Sequence, residues 1–135
     1  MRTGVLLAAA MLALGAFALI RLGTQPQALL AGGLLLLVGL PLLGVARRQL
    51  GSAFAVTPQA KGLVTRGLYS KIPHPMYVFL DLALLGAIVV LRQAWLLVFA
   101  AVLVLIQVWQ ARRESRVLEQ AFGDTYRDYR KRTLW

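Results

Sequence analysis

Four apolar runs, residues 4–20, 28–46, 76–91 and 94–109, take up about half of the chain, and none contains more than one charged or amide side chain. At ~1.5 Å of rise per residue, helices of these lengths reach roughly 24–28 Å, close to the hydrocarbon core of a bilayer. Composition closes off the soluble alternative. Of the 135 residues 59% are hydrophobic and 15% charged, whereas soluble domains hold roughly 45–50% apolar and about 25% charged residues. So much apolar surface can be neither hidden in a globule of this length nor left disordered. The expected fold is all-α and integral to the membrane, a single domain over residues 1–135. It has four transmembrane helices followed by C-terminal amphipathic helices.

Charge sets the expected orientation. The chain carries 15 Lys and Arg against 5 Asp and Glu, a net charge of +10. In so apolar a chain this excess reads as positive-inside bias, and no nucleic-acid partner is expected. With the amino terminus in the cytoplasm, thirteen of the fifteen basic residues fall in cytoplasmic segments, chiefly 47–75 and 110–135. Only Arg21 and Arg92 fall outside. Both termini are therefore expected in the cytoplasm. The first run also reads as a signal peptide with a small-residue cleavage site at Ala16-Phe17-Ala18, which would leave the other spans oriented the same way. There is no cysteine and one histidine, so no thiolate metal site, cysteine nucleophile or common zinc site is expected. No dinucleotide, Walker A or zinc-protease motif occurs.

The polar residues of the last two runs are grouped. His74, Tyr77 and Asp81 share one face of a helix that Pro75 can start, and Gln107, Gln110 and Glu114 share a face of the next. The link Arg92-Gln93 predicts a tight antiparallel hairpin in which Gln107 is level with Val78 and Gln110 with Pro75. Both stripes then meet at the cytoplasmic mouth. A carboxylate at membrane depth is costly, which makes Asp81, together with Gln107 on the opposite stripe, a candidate for substrate contact. Segment 47–75 is long, yet Leu63, Val64, Leu68, Tyr69 and Ile72 are too apolar for disorder, so it is expected on the cytoplasmic membrane face. Beyond Trp109 the pattern turns amphipathic, with Gly123 ending one helix and Asp124 capping a shorter one.

Three elements carry a resemblance: Gly67-Leu68-Tyr69, then His74-Pro75-Met76-Tyr77, and later Glu114, Leu118, Phe122-Gly123, Tyr126 and Tyr129. Together they resemble the isoprenylcysteine carboxyl methyltransferases and the related phospholipid methyltransferases, over about residues 61–132. The resemblance implies a small multi-span enzyme that uses S-adenosylmethionine without a Rossmann domain and methylates a lipid or lipid-like acceptor arriving from the bilayer. It implies cofactor binding by Tyr69, His74, Tyr77, Glu114, Tyr126 and Tyr129, and catalytic roles for Arg113 and Glu114. Pro73 stands where members commonly carry Arg, and Ser115 where they carry a second acid. Other readings are a small four-span transporter built on Asp81, or a non-catalytic membrane scaffold of the same fold. An anionic acceptor needs no base. An amine or thiol acceptor needs one, for which Glu114, His74 and Asp81 are candidates.

Overall fold

The structure, a computed structural model, describes residues 9–14, 16–17, 20–21, 26–51 and 62–134. Among these residues every regular element is helical: α1 (Pro26–Leu50), a 3-10 turn (Gly67–Ser70), α2 (Pro75–Leu91) and α3 (Leu96–Arg132). Residues 9–14, 16–17 and 20–21 are helical too. The remainder of run 4–20 lies outside the described residues, as do Ala18 of the suggested cleavage site and residues 52–61.

Proline opens both α1 and α2, where the missing N–H would have no intrahelical partner. α1 runs past the expected end of its apolar stretch to include Arg47 and Arg48 in its last turn, where cations suit the negative end of the helix dipole. Helices α1 and α3 are long and apolar enough to cross a membrane, while the 17 residues of α2 make a shorter apolar helix. Leu29, Leu30, Leu34 and Leu37 of α1 and Val98, Phe99, Val102, Leu105 and Ile106 of α3 are all exposed. Such an apolar surface suits lipid and not water.

Small residues bring α1 and α2 together. A Cβ placed on Gly86 would lie 2.8 Å from the Gly32 carbonyl oxygen, and one on Gly39 would lie 2.8 Å from the Ala83 nitrogen. Backbones this close need glycine on at least one side of each contact. Towards the other end of the pair, Ala46, Tyr69 and Phe79 form a buried cluster with Leu42, Leu50, Val64, Leu68 and Ile72 around it. Val64, Leu68, Tyr69 and Ile72 therefore pack against one end of the helix pair. Gln49 fixes this segment by accepting a hydrogen bond from the Leu68 N–H at 2.8 Å.

The α2–α3 hairpin also departs from expectation. Arg92 takes a left-handed conformation (φ 55°), its N–H bonded to the Ile88 carbonyl at 2.9 Å, and residues 92–95 all lie between the helices. The link is four residues long, not two, which shifts the register so that Gln107 faces Asp81 instead of Val78. α3 continues from its apolar half straight into the charged half without a break at Trp109. The break comes at Gly123 (φ 50°, ψ −123°), where the sequence predicts one. Arg127 clasps it from both sides, bonding Glu119 at 2.9 Å and Asp124 at 3.0 Å. Asp124 thus acts through Arg127 here, at an exposed site where such pairs contribute little.

Candidate active site

His74 occupies the N-cap position of α2 but makes no capping hydrogen bond. Its ring instead crosses to α3: Nδ1 lies 3.4 Å from Glu114 Oε2, and Nε2 lies 3.4 Å from Ser115 Oγ. With the proton on Nδ1, the ring donates to the carboxylate and accepts from the serine hydroxyl. Consecutive residues on α3 thus engage both ring nitrogens. Tyr77, one turn along α2, stacks on the imidazole with ring centroids 5.7 Å apart. The His74 side chain is 14% exposed and that of Glu114 32%, so the pair is sheltered without being sealed.

This pair stands in the wall of a cavity of about 500 Å³. Tyr69, His74, Tyr77 and Glu114 line its polar end. Leu40, Leu43 and Gly44 of α1 and Met76 and Leu80 of α2 line the rest, with Arg47 one helical turn beyond Leu43. A smaller hollow of about 30 Å³ adjoins it, sharing Leu50, Tyr69, His74 and Glu114 and adding Pro73, Leu118, Tyr126 and Tyr129. The six tyrosine, histidine and glutamate residues of the expected cofactor set therefore border one or both of these spaces.

Tyr69, Tyr126 and Tyr129 are buried, the last two beyond the apolar half of α3. The Tyr129 hydroxyl donates to the Tyr69 carbonyl at 2.7 Å, tying the 3-10 turn to the end of α3. Burial pushes the Tyr129 phenol up to about 12, with Tyr126 and Glu114 adding to the effect and Arg130 opposing it. Burial and then the Glu114 carboxylate hold Tyr69 well above the usual phenol range. Burial also raises Tyr126, against the pull of Ser115 and Arg130. All three stay protonated donors at neutral pH. The Tyr126 hydroxyl faces Ser115 without reaching bonding geometry, and neither it nor the buried Nη1 of Arg130 has a hydrogen-bond partner among the described residues.

Three expected site residues lie elsewhere. Asp81 lines a separate hollow of about 10 Å³ with Leu84, Leu85, Ile88, Ala100 and Val104. Gln107 faces it, yet Asp81 Oδ1 and Gln107 Nε2 each lack a hydrogen-bond partner among the described residues. Arg113 is exposed and directed away, its guanidinium 4.6 Å from the centre of the Trp109 ring, and it lines neither the cavity nor the hollow beside it. Conversely, the sequence reading missed the α1 wall. In the sequence Arg47 is an orientation charge, and Leu40, Leu43 and Gly44 are part of an apolar run. Their one signal is the shared helical face at positions 40, 43, 44 and 47.

A family model described as phospholipid methyltransferase matches residues 27–125. The match covers α1, α2 and α3 as far as Tyr126 excluded, and so takes in both walls of the cavity. No curated protein and no solved structure matches the chain.

Proposed function

The chain belongs to the phospholipid methyltransferase family, and on that premise we propose that it transfers a methyl group from S-adenosylmethionine to a lipid or lipid-like acceptor. In this reading it is a single membrane domain with four spans, α2 and run 4–20 joining α1 and α3, and with both termini in the cytoplasm. The observation that carries the reading is the cavity itself. Its volume, about 500 Å³, falls within the range of small-molecule sites, and it joins a charged, aromatic end to an apolar flank at membrane depth.

The residues present fit a sulfonium donor. Glu114 offers a carboxylate, and Tyr69 and Tyr77 offer aromatic faces, both of which attract a compact cation. When bound, the donor supplies an activated methyl group. The work of the protein is then to align and to exclude water. Alignment of donor and acceptor contributes up to roughly 7–11 kcal/mol in favourable cases. His74 holds Glu114 through Nδ1 and is itself held by Ser115 and the Tyr77 ring. For an amine acceptor, the Glu114 carboxylate is placed to take up the proton that the nitrogen must lose. Tyr129 keeps Tyr69 in the wall through its bond to the Tyr69 carbonyl. Asp81 and Gln107 join α2 to α3 in this reading, and Arg113 anchors α3 at the membrane interface over Trp109.

Equilibrium binding of S-adenosylhomocysteine to the detergent-solubilised protein tests the proposal. Saturable binding that weakens in Tyr77→Ala and Glu114→Ala is expected. Absence of binding to the folded wild type would overturn it. Incubation of membranes with labelled methyl donor should then place the label in the lipid extract.

A further inference from the structure

Two buried hydrogen-bond donors stand unused near the His74–Glu114 pair. Beyond the kink at Gly123, Tyr126, Tyr129 and Arg130 share one face of the last stretch of α3. Tyr126 is 3% exposed and Tyr129 is also buried. The Tyr129 hydroxyl is engaged by the Tyr69 carbonyl. The Tyr126 hydroxyl and Arg130 Nη1 are buried too, and neither has a partner among the described residues. The cations next to Arg130 behave otherwise. Lys131 bonds the Asp128 carboxylate at 2.9 Å and Arg132 Nε donates to the Asp128 carbonyl at 3.3 Å, both at exposed positions. The charge of Arg130 instead acts inward, on the phenols of Tyr126 and Tyr129. A donor buried without an acceptor bears its full desolvation cost, and a charged donor bears more. Two of them one helical turn apart call for an acceptor that the chain itself does not supply.

The space for that acceptor is the hollow of about 30 Å³ that Tyr126 and Tyr129 line together with His74 and Glu114. It has room for about two waters or for one compact group such as a carboxylate. Its surroundings are polarised. Glu114 is the acid in its wall, and Arg130 places a positive charge beside Tyr126. That polarity is the one an α-amino acid zwitterion presents in reverse. The hollow also shares Leu50, Tyr69, His74 and Glu114 with the cavity of about 500 Å³, so one molecule can extend from one space into the other. Resting on the reading of the cavity as the methyl-transfer site, we propose that the Tyr126 hydroxyl and the Arg130 guanidinium hold the carboxylate of the donor's amino acid end. A guanidinium and a phenol both donate to carboxylate oxygens, and such charge-assisted bonds are the strong ones. Burial keeps the Tyr126 phenol protonated and able to donate. The assignment gives the donor a direction in the site. Its amino acid end lies towards the C-terminal stretch of α3, with the ammonium on the Glu114 side, and its adenosine lies in the larger cavity.

Calorimetric binding to the detergent-solubilised protein tests this, with S-adenosylhomocysteine as the probe and its decarboxylated analogue, which keeps the adenosine, the sulfur and the ammonium, as the control. The wild type is expected to bind S-adenosylhomocysteine about tenfold more tightly or better, the scale of a hydrogen bond to a charged group. Tyr126→Phe and Arg130→Gln should each narrow that preference by about fivefold or more while leaving the decarboxylated analogue within about twofold. Arg130→Lys should keep part of it. A second readout needs no ligand. Tyr126→Phe deletes a donor that has no partner in the fold, so its thermal midpoint should equal or exceed that of the wild type, and S-adenosylhomocysteine should raise that midpoint less than it does in the wild type. Equal affinity of the wild type for the two ligands would overturn the inference alone, since the hollow would then hold water or a free anion. Variants that weaken both ligands alike, or a Tyr126→Phe midpoint clearly below that of the wild type, would overturn it as well. Binding of neither ligand by the folded wild type overturns the proposed function, and the inference falls with it.

Discussion

Glu114 and Asp81 are both acidic side chains at the seam between α2 and α3, and each faces one polar side chain across it: Glu114 meets His74, and Asp81 meets Gln107. What differs is the space beside them. Glu114 borders a cavity of about 500 Å³, whereas the hollow at Asp81 holds about 10 Å³, room for one water at most. The same contrast runs along α1. Gly32 and Gly39 are pressed onto α2, and Gly44 looks into open space. One part of the molecule is closed by small residues and the other is held apart by aromatic ones, so a polar group joins helices in the first and can meet a ligand in the second.

The sharpest way to break this contrast is to exchange charge for a neutral isostere at the two acids. Glu114→Gln is expected to lower labelled-methyl transfer by about 100-fold or more, the scale of a lost proton-transfer group, with little change in thermal midpoint. Asp81→Asn should leave the rate within about threefold. Comparable losses in both variants would erase the distinction between the two acids. The packing half of the contrast is tested by thermal unfolding. Gly86→Val forces its side chain onto the Gly32 carbonyl and should cost about 1–3 kcal/mol, while Gly44→Ala should be neutral or stabilising, since alanine is the better helix former.

Smaller effects sharpen the boundary of the open region. Tyr129→Phe removes the bond to the Tyr69 carbonyl and should cost about 1 kcal/mol in unfolding experiments. It also carries a pH signature. The folded phenol titrates near 12 and the unfolded one near 10, so between those values the folded state retains a proton that the unfolded state has released. The contribution of this phenol to stability should be constant below pH 10 and fall as pH rises towards 12, with a shallower overall fall in Tyr129→Phe. An unchanged slope would show that the Tyr129 phenol does not sense its burial.

Much of this was legible in the residues. Apolar run length and helical spacing identify α1, α2 and α3, Pro75 marks the start of α2, and Gly123 marks the break in α3. Local backbone preference decides such features. His74, Tyr77 and Glu114 could be grouped because helical periodicity puts them on facing stripes. The depth of Gln107 was misjudged because the length of the α2–α3 link depends on where helix ends fray and cap, here at Arg92 in its left-handed conformation. The α1 wall escaped notice because a leucine or glycine lining a cavity has the same local pattern as one facing lipid.

The residues alone therefore determined that this chain is helical, that it belongs in a membrane, and which polar groups are too costly to be there without a partner. These follow from transfer free energies and backbone periodicity, which are properties of short stretches of chain. Only the tertiary structure decided which acid has room beside it, that Arg113 turns away to Trp109, and that α1 supplies the missing wall. Those outcomes depend on the gap between helices, set by side chains distant in sequence, and no single stretch carries that information.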